Sequence, residues 1–556
     1  MVRWGWMVLL VGCGDPEQDP KHSDAEPSPE TDLVEPDDDL DPADPDANSD
    51  NFRLLIRVSL DVRGHRPSLA EFERLEANPD ALEPMLESFL QDEAFGGQVR
   101  DLYAGVFLTR KDYYYVYGYE FGLDDEAAWA RSVGEEALQI LGYVADKDLP
   151  YTELVTGDWT MADEVLGTAW PVDRDTDLDG WQRVQYTDGR PAAGVLSTNS
   201  MWWRYMSNGS NANRQRANAI SKLFLCSDYL SKDIDFSREI NLLDEDAVND
   251  ALASNPGCIG CHYSLDPMAS YLWGFYYYDY TSKLDTVTYH PERERLWETY
   301  TGIAPSYYGE PGHGLDDLGV QIAADPLFAE CAVEHAWELL LQRDKRLEDT
   351  DELTRHREAF LAGDLTMRSL FRSIMSSDHY RAGPTDDPLL AGYKMPSPDL
   401  MASQIEELTG FRMSYYGYDM MQTDTYGLRT LAGGVDGVYV TKPATLPVTT
   451  MMLVQERLAQ AAAWYVAESD QDDPEGARLF TEINFHETPS SHRDAMVAQI
   501  QLLHLRLFGK RVAEDSQEVE ANLALWESLY AVELRPTDAW AGLLSVLLRD
   551  PDFIFY

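Results

Sequence analysis

The chain of 556 residues is too long for one compact domain, and at 44% apolar side chains it can bury several sizeable cores. It carries 98 Asp and Glu against 44 Lys and Arg, a net charge of −54. A field of that sign repels phosphate backbones and anionic membrane surfaces, which argues against nucleic-acid binding and favours cations or a basic partner.

Met1-Val2-Arg3 places one positive charge before a short apolar run, Trp4 to Gly12, too short to span a bilayer as a helix. The run ends in Leu10-Val11-Gly12-Cys13, which resembles the lipobox of bacterial lipoproteins, where the Cys is lipidated after cleavage. The resemblance implies a lipid anchor on Cys13. With Gly14 behind the Cys, it also implies an outer-membrane address facing the periplasm or the cell surface. Residues 15–50 hold 15 acidic residues, one Lys and seven Pro. Such a stretch cannot offset its ordering entropy and is expected to be a disordered acidic linker. About −41 of the charge remains on residues 51–556, so the folded part is acidic too.

From Asn51 the pattern turns helical, with Leu54, Leu55, Val58 and Val62 on one face. The run stops at Arg63-Gly64-His65-Arg66-Pro67, and Ser68 with Glu71 has the spacing of a capping box for the next helix. A third helix is predicted through Met85 and Phe89 to Phe95. The same order recurs twice. Ala336 to Leu341 leads to Gln342-Arg343 and later to Ser377-Asp378-His379-Tyr380. Leu502 to Phe508 leads to Gly509-Lys510-Arg511 and later to Asp550-Pro551-Asp552-Phe553. These read as three diverged copies of a small helical unit. Between the first two lies an irregular middle rich in Trp, Tyr, Gly and Asp. Little reads as strand, so the expected fold is mainly α and multi-domain. The predicted segments are a signal peptide with lipobox (1–13), the acidic linker (14–50), an N-terminal helical domain (51–150), a middle domain that bears the chemical motifs (151–315), a helical domain (316–390) and a C-terminal helical domain (391–556).

Two motifs in the middle carry chemistry. In Cys258-Ile259-Gly260-Cys261-His262, two thiols three apart on a helical turn can both reach one haem, and the adjacent His supplies the proximal iron ligand. The alternatives are a CxxC disulfide or part of a zinc site, and no second CxxC or HxxxH completes the latter. Distal candidates are Met268, Met201, Met206, His290 and His313, with five-coordinate iron as an equal reading. In Asp173-Arg174-Asp175-Thr176-Asp177-Leu178-Asp179-Gly180, alternate carboxylates and a Gly suit a calcium loop, although position 12 from Asp175 is Tyr186 instead of Glu. The other reading is a solvated acidic turn. Of the five Cys, Cys226 and Cys331 remain and are expected to pair in an oxidising compartment. Tyr113 to Tyr119 is an aromatic cluster that reads as core or interface, with sugar stacking as the alternative.

The stretch Asn255-Pro256-Gly257-Cys258 to His262, followed by Asp266-Pro267, resembles the planctomycete-cytochrome-type families, large exported bacterial proteins with a single CxxCH motif. Leu60-Asp61-Val62-Arg63-Gly64-His65-Arg66-Pro67, Asp158-Trp159-Thr160 and Phe328 to Arg343 are similar to further elements of those families. Gln342 stands where Gly is usual, and Trp273-Gly274-Phe275-Tyr276 replaces an acidic stretch. The resemblance implies a c-type haem protein without assigning it a reaction. The expected function is electron transfer or haem-based redox chemistry with one covalent haem c, held by Cys258, Cys261 and His262. Calcium at Asp173, Asp175, Asp177 and Asp179 and a basic redox partner protein complete the expectation. Trp273, Phe275 and Tyr276 are expected as apolar walls of the haem. The alternative is a surface glycan- or ligand-binding lipoprotein with a CxxC disulfide and no haem.

Overall fold

Helix boundaries at the start of the described chain follow the caps that the residues supply. The computed structural model describes residues 49–231, 244–275, 283–383 and 392–556. Cys13, nearly all of the predicted linker and Tyr276 lie outside the described residues. Helix Ser49–Arg63 buries Leu54, Leu55, Val58 and Val62 and stops at Gly64, whose φ of 74° is left-handed. A Cβ there would sit 2.6 Å from Gln98 Oε1, so both the turn and the close approach require glycine. Helix Leu69–Ala77 starts on Ser68, which exchanges both capping-box bonds with Glu71. Arg63 reaches forward to Glu71 at 2.8 Å and ties the turn to the new cap.

The second and third units share this plan. Helix Pro326–Leu341 ends at Gln342 (φ 50°), and Arg343 then grips Asp349 at 2.6 and 2.8 Å. Helices Thr350–Ala362, Met367–Met375 and Asp378–Arg381 follow. Helix Arg493–Phe508 ends at Gly509 (φ 65°), and Gln517–Glu533, Pro536–Leu547 and Pro551–Ile554 follow. A left-handed residue closes the first helix each time, although Gln342 adopts that conformation without the freedom of glycine.

The units also hold one another. Arg66 of the first donates to the Phe553 carbonyl at 3.0 Å, and a Cβ on Gly509 of the third would lie 2.6 Å from Ile56 Cδ1. Arg57 donates to the Tyr380 carbonyl at 2.6 Å. Asp61, fully buried, accepts from Tyr380 Oη at 2.6 Å, from Tyr556 Oη at 3.0 Å and from the Lys394 ammonium. Burial pushes Lys394 down to about 8 against the pull of Asp61. Removing either partner would strand the other charge, a cost of about 3–5 kcal/mol.

One apolar core runs from Phe52 to Tyr380 and takes in Leu400, Leu505 and Tyr556, a second fills Met395 to Phe553, and a smaller one gathers Tyr114, Trp129, Trp170 and Trp203. The boundaries expected at 150/151 and 315/316 therefore fall inside one shared core. The reason lies in two bridging helices: Glu126–Asp146 lines two of the cores, and Pro326–Leu341 packs on Arg214–Leu225. The boundary at 390/391 lies outside the described residues. Strand among the described residues is confined to three two-stranded antiparallel pairs, so the chain is mainly α. No described helix is long and apolar enough to cross a membrane.

Candidate functional site

The thiol motif opens helix Pro256–Ala269. Asn255 caps it by accepting from the Gly257 N–H at 2.9 Å, and Pro256 occupies the first turn, where its missing N–H costs nothing. Cys258 and Cys261 fall on one face of this turn, both free and partly exposed. The helix changes character along its length. Ile259 and Tyr263 are exposed, whereas Leu265, Asp266, Met268 and Ala269 are buried.

His262 sits at the change-over. Its Nδ1 lies 2.9 Å from Asp266 Oδ1, one turn on, and no other bond to a described residue holds the ring. Arg214 grips the same carboxylate through Nε at 2.7 Å and Nη2 at 2.9 Å. Burial pushes Asp266 up, but the bonds from His262 and Arg214 and the guanidinium charge hold it below the usual carboxylate range. An ionised carboxylate accepts, so Nδ1 is the nitrogen that donates to Asp266.

Arg214 begins helix Arg214–Leu225, and the opposite end of that helix is stapled. Cys226, its left-handed cap (φ 48°), is bonded to Cys331 of helix Pro326–Leu341, with Cα atoms 5.2 Å apart. His335 Nε2 lies 3.4 Å from Cys331 Sγ and donates to the Leu223 carbonyl at 3.2 Å. Burial holds His335 down at about 4, so its ring is neutral at pH 7. Cys226, Cys331 and His335 form the one cluster of close metal-ligating atoms among the described residues. Joined as a disulfide, its sulfurs offer no thiolate to a metal.

The distal candidates fare differently. Met268 and Met201 are fully buried in the large core. His290 has both ring nitrogens engaged, with Asp285 O at 2.8 Å and Glu292 at 3.2 Å. Met206 and His313 are exposed. Of the expected walls, Trp273 is buried and stacks on Tyr300 at 5.3 Å, and Phe275 is buried edge-on to Tyr289 at 5.0 Å. Both rings are committed to protein partners.

The acidic turn is occupied by a side chain of its own. Its four carboxylates, on Asp173, Asp175, Asp177 and Asp179, are not gathered into a cluster. Instead the Arg174 guanidinium, only 5% exposed, donates to the carbonyls of Asp175 (3.1 Å), Leu178 (2.6 Å) and Gly180 (3.1 Å) and to Glu164 (3.0 Å). A positive charge of the chain itself fills the turn. Asp175 and Asp173 are spent on the N–H groups of Asp177 (2.9 Å) and Gln185 (2.6 Å).

The tyrosine cluster is core at Tyr114 alone. Tyr113, Tyr115, Tyr117 and Tyr119 are exposed, and Tyr117 stacks on Tyr119 at 5.5 Å. Tyr113 borders a cavity of about 570 Å³ that also meets Trp181, Tyr426, Arg110, Glu135 and Asp399. Arg110 bridges Asp101 and Glu135, both at 2.5 Å, and Asp399 at 3.4 Å. Burial and the neighbouring carboxylates push Asp399 up to about 6 against the pull of Arg110. No family model, curated protein or solved structure matches the chain.

Proposed function

We propose that the chain is an exported, lipid-anchored c-type haem protein working in electron transfer or haem-based redox chemistry. One observation carries the reading: two free thiols on one helical turn precede a histidine whose Nδ1 is fixed by Asp266 and whose Nε2 bonds to no described residue. Cys258 and Cys261 would hold the porphyrin through thioethers and His262 would supply the proximal ligand. A haem bound there supplies one-electron chemistry at its iron. The chain's contribution is to orient His262, to bury the far half of the helix and to hold that half against the stapled helix Arg214–Leu225. The resemblance of residues 255–267 to planctomycete-cytochrome-type families supports the same reading, as does a disulfide suited to an oxidising compartment. Cys13 would tether the protein to a membrane, and its acidic surface would attract a basic redox partner at a rate that falls with salt.

The test is an absorption spectrum of exported protein, oxidised and then reduced. Sharp ferrous haem bands are expected, and a colourless protein ends the proposal. A second reading, a glycan- or ligand-binding lipoprotein, draws on the cavity bordered by Tyr113, Trp181 and Tyr426. Titration with oligosaccharide pools tests it, with quenching of Trp fluorescence expected and lost in Trp181→Ala.

A further inference from the structure

We infer that Asp266, clamped by Arg214, is the positioning residue that sets the donor strength of His262 and thereby lowers the potential of the iron it binds. The inference rests on the haem reading and deepens it. A carboxylate accepting from Nδ1–H draws the proton toward itself and leaves Nε2 a stronger donor than a backbone carbonyl would. A stronger donor stabilises ferric over ferrous iron, which lowers the potential.

Three observations separate this arrangement from a simple His–Asp pair on a helix. An exposed pair four residues apart stabilises a helix by only about 0.2–0.5 kcal/mol and needs no third partner. Here the acceptor is 7% exposed, a burial that disfavours a carboxylate unless donors satisfy it. The donors are His262 at 2.9 Å and two nitrogens of Arg214 at 2.7 and 2.9 Å. Arg214 is itself held, because its helix is bonded through Cys226 at one end and docks on helix Pro256–Ala269. The carboxylate is therefore held from two sides, by His262 and by Arg214. The ring is left with one orientation about the axis through which it would bind iron.

The experiment uses exported full-length protein and compares wild type with Asp266→Asn and Asp266→Glu. Haem content by pyridine haemochrome and midpoint potential by spectroelectrochemistry are read on each. The expected result is equal haem content, a raised potential in Asp266→Asn and a potential near wild type in Asp266→Glu. Full haem content with an unchanged or lowered potential in Asp266→Asn overturns the inference and leaves the haem reading standing. A wild-type protein without haem overturns both. If Asp266→Asn does not fold, nitrogen NMR of His262 in reduced wild-type protein decides. An Nδ1 proton shifted strongly downfield is the expected carboxylate-bonded signature, and a carbonyl-like position contradicts it.

Discussion

Two turns in the middle of the chain bear metal-binding spacings, and they end up in opposite states. At residues 258–262 the thiols are free and, among the described residues, the imidazole is held by one nitrogen only. At residues 173–180 the centre is taken by the Arg174 guanidinium, which satisfies three carbonyls and Glu164. Both motifs place the right residue types at the right intervals. What separates them is whether the chain supplies its own counter-charge. The first spends its cation, Arg214, on the carboxylate that orients His262, and the second spends Arg174 at the centre of the turn itself.

The comparison breaks most visibly at the thiols. Replacing both Cys258 and Cys261 with Ser should abolish covalent haem, so that acid acetone strips all colour from the protein, whereas wild type keeps it. Retention of covalent haem by the double variant would mean that the turn is not the attachment point.

The staple behind the clamp comes next. The disulfide closes a separation of 105 residues, and Cys226→Ala with Cys331→Ala should cost about 3–5 kcal/mol in denaturant melts. Because the bonded helix carries Arg214, haem potential should shift in that variant as well. An unchanged melt would show that helix Arg214–Leu225 is held by packing alone.

Acid sharpens the same region. His335 is neutral in the fold down to about 4, below the 6.5 of an ordinary histidine. Protonation therefore favours the unfolded chain. Stability is complete above pH 6.5, falls from there to about pH 4, and levels off below that for this group. The loss is at most about 3 kcal/mol, since the ring keeps a partly exposed edge. Chemical melts of wild type and His335→Gln between pH 7 and 4 check it, with a flatter profile expected in the variant.

The smallest effect belongs to the self-filled turn. Arg174→Gln should cost about 1 kcal/mol without metal, and millimolar Ca²⁺ should then raise the melting temperature of the variant but not of wild type. Stabilisation of wild type by Ca²⁺ would show that the guanidinium yields to the ion.

How much of this was legible follows from the range of each interaction. The capping box of Ser68 and Glu71 lies within a few residues of sequence, and helix Leu69–Ala77 follows it. His262 and Asp266 stand four apart on a helix, so their pairing was readable from spacing, although the sequence reading valued Asp266 only as part of a resemblance. Arg214 lies 52 residues before Asp266, and no local pattern connects them. Arg174 stood in plain view among the acids, but a pattern that counts carboxylates passes over the cation between them. The tyrosines divide by residue: type suggested core or interface, and Tyr114 turns inward to meet Trp203 while its neighbours stay exposed. Arg110, Glu135 and Asp399 meet from distant stretches of chain, and no spacing could have gathered them.

The central claim is that residues 258–262 form a covalent haem site. Intact mass of the denatured exported protein, measured with a pyridine haemochrome spectrum on the same sample, tests it most directly. The account predicts a chain heavier by one haem, with one haem per chain in the spectrum and the added mass mapped to the peptide bearing Cys258 and Cys261. A chain of unmodified mass, with those cysteines free or joined to each other, contradicts it.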